Sequence, residues 1–136
     1  MKKTGFYELK RVFETLHGPN GCVWDKEQTH QSLVKSLREE TRELIQAIKS
    51  EDPEHMKEEL GDVLLQVMFH AQIASKEKKF DIEDVIDVLI KKLKRRHPHV
   101  FGKAKVKSSA QVVRNWNKIK AMEKKNGPAG KYSKRT

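Results

Sequence analysis

Two long helical repeats joined by a very short turn constrain this chain more than any other feature. From about Thr29 to Lys49, residues Leu33, Val34, Leu37, Leu44, Ile45 and Ile48 recur at helix spacing and share an arc of about 120°. From Pro53 to about Lys76, residues Met56, Leu60, Val63, Leu64, Val67, Met68 and Ala71 form a second stripe. Only Ser50-Glu-Asp-Pro-Glu54 separates the two. Asp52 can cap the second helix, Pro53 suits its first position, and Glu54 favours its dipole. A connection this short makes the helices antiparallel neighbours, with the apolar stripes as the faces to be buried.

Carboxylates border both stripes. Glu39, Glu40 and Glu43 lie on the first helix, and Glu58, Glu59 and Asp62 on the second. Glu40 falls at the edge of its apolar arc, Glu43 further round and Glu39 beyond it. Glu59, Gln66 and His70 line one edge of the second stripe, with Asp62 just outside. The i, i+3 spacing of Glu40 with Glu43, and of Glu59 with Asp62, sets each pair on one helix face about 5–6 Å apart. Four oxygens from facing helices suit a hard divalent cation. No His/Cys group has zinc spacing. The plainer alternative is a solvated acidic face paired with Arg38, Arg42 and Lys57. Spacing alone leaves both open. Glu58 lies away from the shared edge and reads as solvated. Gly61 sits in mid-helix, where it costs about 1 kcal/mol against Ala, which points to close approach of another helix or a ligand.

The flanking segments are also helical. Phe6, Leu9, Val12, Phe13 and Leu16 predict a short helix over 5–16, ended by His17-Gly-Pro-Asn-Gly21. Residues 22–30 read as a loop rich in binding groups, in which Trp24 either contributes to a site or covers the core edge. Asp81 caps a helix carrying Ile82, Val85, Ile86, Leu89, Ile90 and Leu93, with a Phe80–Val85 staple across its start, and it ends in Lys91-Lys-Leu-Lys-Arg-Arg96. Five bases in that last turn exceed what compensation of the helix dipole requires. A basic loop over 102–108 precedes a last helix, about Ser109 to Lys125. The expected architecture is all-α, an antiparallel bundle of about five helices within one domain over 1–126. A basic, disordered tail is expected over 127–136.

Charge is divided along the chain. Residues 91–136 carry 16 Lys/Arg against one acid, Glu123, while residues 1–90 carry 13 against 18 acids. The basic third suits nucleic acid, or a phosphate ligand that a carboxylate-bound metal also holds. One cysteine, Cys22, excludes an internal disulfide and fits a reducing compartment. No apolar run reaches the length of a membrane span, so a cytoplasmic protein is expected.

Several motifs in order carry a resemblance. W-D-K-E-Q-T-H at 24–30, E-E-x-x-E at 39–43, E-E-L-G-D at 58–62 with L-L-Q-V-x-F-H-A-Q after it, and R-R-H-P-H-V-F at 95–101 together resemble the MazG family of all-α nucleoside triphosphate pyrophosphohydrolases. The similarity runs over about residues 6–123, and the chain looks like a single stand-alone copy of the domain. It departs from the family pattern at Val23, where proline usually follows the cysteine.

The resemblance implies Mg²⁺-dependent hydrolysis of (d)NTPs between the α- and β-phosphates, with Mn²⁺ as a possible substitute. It implies Glu40, Glu43, Glu59 and Asp62 as metal ligands, and Glu39 as a further ligand or the group orienting the attacking water. Lys92, Arg95 and Arg96 would hold the triphosphate. Trp116 and Lys120 match an element near the nucleotide, and Trp24, Asp25 and Lys26 match the loop that shapes the nucleoside side. Family members are dimers or higher assemblies, so a homodimer is expected, with a tetramer second. Two other readings compete: a nucleic-acid-binding module built on residues 91–136, and an oligomerisation bundle whose acids form surface ion pairs.

Overall fold

The computed structural model describes residues 5–127, and all its regular structure is helical. The order is α1 (Phe6–Leu16), α2 (Val23–Glu27), α3 (Val34–Ser50), α4 (Pro53–Lys76), α5 (Ile82–Arg96), α6 (Pro98–Phe101) and α7 (Ser109–Gly127). The chain divides into two compact units between Val85 and Ile86, inside α5. Residues 128–136, most of the expected tail, lie outside the described residues. Among the described residues no helix is long and apolar enough to cross a membrane.

In the first unit α4 packs against both α3 and α1. The core gathers on the C-terminal half of α4, where Met68, Phe69, Ala71, Ile73 and Ala74 are buried. Phe13 of α1 meets Phe69 edge-on at 6.1 Å, and the buried His17 meets the same ring at 5.1 Å. His17 closes α1 by donating from its backbone N–H and from Nδ1 to the Phe13 carbonyl, at 3.1 and 3.0 Å. The chain then folds back so tightly that Cys22 N–H reaches the Leu16 carbonyl at 2.8 Å. A Cβ at Gly21 would stand 2.0 Å from that carbonyl oxygen, so only glycine fits there.

The segment over 22–30 is not wholly irregular. Val23–Glu27 form a single helical turn, α2, and set Trp24 edge-on to Phe69 at 6.3 Å. Nor does α3 begin at Thr29. Thr29 and Ser32 exchange backbone-to-hydroxyl bonds of 2.9 and 3.0 Å, and this local competition for backbone donors delays the helix to Val34.

The turn between α3 and α4 is built as its residues require. Glu51 ends α3 in the left-handed region at φ 59, and Asp52 accepts from the N–H groups of Glu54 and His55 at 3.1 and 3.4 Å. Asp81 and Asp84 cap the start of α5 reciprocally, each backbone N–H bonding the other's carboxylate at 3.0 Å.

Burial of the apolar stripes differs from the expectation. Leu33 and Ala47 are buried and Leu44 is half-buried, whereas Leu37, Ile45 and Ile48 on α3 and Leu60, Leu64 and Val67 on α4 are exposed by 38–51%. Periodicity marks a helix face as apolar without saying which part of it packs, and the packing of α3 on α4 covers only part of each stripe. No other helix approaches Gly61 closely, since nothing in the described residues comes within 4 Å of a Cβ placed there.

In the second unit, Glu123 of α7 receives both Arg95 and Arg96. The Arg96 hydrogen bond, then those of Arg95, hold the Glu123 carboxyl below its ordinary range against the opposing effect of burial. Trp116 lies between His97, edge-on at 5.0 Å, and Arg96, whose guanidinium sits 5.8 Å from the ring centre.

Candidate metal centre

Antiparallel packing of α3 on α4 brings the two acid clusters together. One carboxylate oxygen from each of Glu40, Glu43 and Glu59 lies within 4.8 Å of the others. Glu59 is 8% exposed, Glu40 is half-buried and Glu43 is exposed. Among the described residues, Glu59 Oε1 and Glu40 Oε2 are buried with no hydrogen-bond partner. An unpartnered buried carboxylate oxygen is costly, and two in one cluster are costlier because they repel.

The same burial and repulsion act on the ionisation of both groups. Burial first, then the charges of Asp62, Glu43, Glu59 and Glu39, push the Glu40 carboxyl above its ordinary value. Burial first, then Glu43 and Asp62, raise Glu59, and only His55 pulls it down. The carboxylates of the set therefore repel one another in a poorly solvated place. Lys57, offered by the sequence as a partner for these acids, binds Glu54 instead at 2.8 Å.

Asp62 is half-buried and near enough to act on both Glu40 and Glu59, but it stands outside the trio that converges within 4.8 Å. Glu39 and Glu58 are exposed, and Glu39 is the weakest of the influences on Glu40. An all-carboxylate donor set with free buried lone pairs fits a hard divalent cation such as Mg²⁺ or Mn²⁺ and suits no soft metal.

The remaining expected nucleotide contacts are placed as follows. Trp24 is 56% exposed at the rim of the Phe69 cluster, and Lys26 reaches the Pro19 carbonyl at 3.4 Å. In the second unit Lys92 is half-buried, Lys120 is exposed, and Arg95 and Arg96 are engaged by Glu123. Sequence spacing overlooked His55, four residues before Glu59 and facing it at 3.6 Å. It also gave no sign that His30 and His70 pair across 40 residues of chain.

The MazG nucleotide pyrophosphohydrolase domain matches residues 28–101. A nucleoside triphosphate pyrophosphohydrolase/pyrophosphatase MazG of Thermotoga maritima is 55% identical over 126 residues, covering 91% of this chain and 48% of the relative. A nucleoside triphosphate pyrophosphohydrolase of Escherichia coli K12 is 43% identical over 117 residues, covering 85% and 44%. The chain thus spans less than half the length of either. The crystal structure of a mazG-related protein from Thermotoga maritima superposes with a TM-score of 0.67 at 26% identity, over 83% of this chain and 96% of that one.

Proposed function

The chain belongs to the MazG nucleotide pyrophosphohydrolase domain family, and from that premise we propose that it hydrolyses nucleoside triphosphates between the α- and β-phosphates. Water and the triphosphate give a nucleoside monophosphate and pyrophosphate. The observation that carries the reading is the pair of buried, unpartnered carboxylate oxygens on Glu40 and Glu59 beside Glu43, a donor set that suits a hard divalent cation. The relatives in Thermotoga maritima and Escherichia coli, both nucleoside triphosphate pyrophosphohydrolases by name, support the substrate class.

Glu40, Glu43 and Glu59 would hold Mg²⁺, with Asp62 closing the set by a rotamer change or through a water. The bound ion would neutralise phosphate charge and lower the pKa of a coordinated water. Glu39, exposed beside Glu40, is free to orient an attacking water. Lys92, Arg95, Arg96 and Lys120 are proposed phosphate contacts, and Trp116, Trp24 and Lys26 contacts to the rest of the nucleotide. The comparisons do not favour the reading of residues 91–136 as a nucleic-acid module.

The protein acts in the cytoplasm as a homodimer in this reading. The exposed aliphatic faces of α3 and α4 support assembly, because aliphatic side chains in such a row are ordinarily covered. Glu40→Gln and Asp62→Asn test the assignment. Both should lose turnover of a (d)NTP panel while helicity by circular dichroism is retained. Retained turnover would remove these residues from the ligand set.

A further inference from the structure

The two oxygens of Glu59 have different surroundings. Oε1 is buried without a partner, while Oε2 faces His55 Nε2 at 3.6 Å, one turn earlier on α4. That separation is longer than a hydrogen bond, so the two side chains face each other as a looser polar contact. Exposed pairs of this i, i+4 type contribute little. Glu59 is not exposed, however, and at 8% accessibility its side of the pair is poorly screened. The His55 backbone is itself anchored, its N–H bonding Asp52 at 3.4 Å in the first turn of the helix.

The other charged groups nearby leave this role to His55. Lys57 is committed to Glu54 at 2.8 Å.

We propose that His55 is a positioning residue for Glu59. It holds Oε2 and leaves Oε1, buried and without a partner, as the oxygen that Glu59 would offer beside Glu40 and Glu43. The inference rests on the metal reading above. A ligating carboxylate whose second oxygen is held binds with less loss of side-chain freedom, and partners of this kind are worth about 10- to 100-fold in metal affinity.

The experiment is a titration of the whole chain with Mn²⁺, followed by electron paramagnetic resonance of the free ion and by calorimetry. Wild type, His55→Ala, His55→Gln and Glu59→Gln are compared, with circular dichroism of each metal-free protein. The Ala variant should bind Mn²⁺ roughly tenfold more weakly at unchanged helicity. The Gln variant, whose amide can face Oε2 in place of the imidazole, should recover most of the loss. Ala binding equal to wild type, or a loss that Gln does not recover, overturns the role of His55. If Glu59→Gln abolishes binding while His55→Ala does not change it, the metal centre stands and the positioning role falls. If Glu59→Gln binds like wild type, the metal reading itself fails, and the His55 inference with it.

Discussion

His30 and His70 meet edge to edge, Nδ1 to Nδ1 across 2.8 Å. Their planes differ by 7° and the ring centres are 5.0 Å apart, nearly the N···N distance plus two ring radii. The rings therefore share a plane and point at each other rather than overlapping face to face. One nitrogen must carry the hydrogen and the other a lone pair. His30 Nε2 faces Glu77 at 3.8 Å, and Glu77 also faces Lys79 at 3.7 Å, whereas His70 Nε2 is buried without a partner. The pair ties the segment after α2 to α4.

Protonating both rings would set two N–H groups against each other, so the contact has a pH limit. Burial first, then the charge of His30, lowers the His70 pKa below its ordinary value. A base with a depressed folded pKa binds fewer protons in the native state than in the unfolded one. Its contribution is then full above the unfolded value of about 6.5 and falls as pH drops toward the folded one. Urea midpoints at pH 7.5 and 5.5 should fall more for wild type than for His70→Gln. Equal losses would show that the pair does not titrate as argued.

Glu59→Gln removes a buried, repelled charge. The metal-free variant should melt a few degrees above wild type and gain nothing from added Mg²⁺, while wild type gains by mass action. Thermal scans with and without about 10 mM Mg²⁺ check both halves. A variant that is less stable without metal would contradict the account of the cluster.

Leu64→Glu places a charge on the exposed aliphatic face of α4. Light scattering after size exclusion should show a dimeric wild type and a monomeric variant with unchanged helical content. A monomeric wild type, or an unaffected variant, would mean that this face is not the assembly surface.

Asp52→Ala removes the acceptor for the N–H groups of Glu54 and His55. It should cost about 1 kcal/mol in denaturant unfolding. A loss below a few tenths would mean that the turn is held by Pro53 and the helix contacts instead.

The α3–α4 pair was legible in the sequence because its signals are local. Asp52, Pro53 and Glu54 act within one turn, and the 3.6-residue period of each stripe reports a helix. Convergence of Glu40, Glu43 and Glu59 followed once the short connection made the helices antiparallel. Which apolar face packs was not legible, since periodicity shows that Leu37, Ile45, Leu60 and Leu64 share a side with buried residues and not what covers them. The late start of α3 depends on the Thr29–Ser32 exchange, which competes with helix hydrogen bonds that the pattern of side chains does not register. The His30–His70 contact lies 40 residues apart in sequence, and no spacing rule finds it. His55 was within reach of the i, i+4 rule, but its relation to Glu59 matters only because Glu59 is buried.

The central claim is the bond that is cut. Wild-type protein incubated with a (d)NTP and Mg²⁺, with products resolved by phosphorus NMR, should yield nucleoside monophosphate and pyrophosphate in equal amounts and no diphosphate. Diphosphate with inorganic phosphate, or no turnover across the whole (d)NTP panel, would contradict the account.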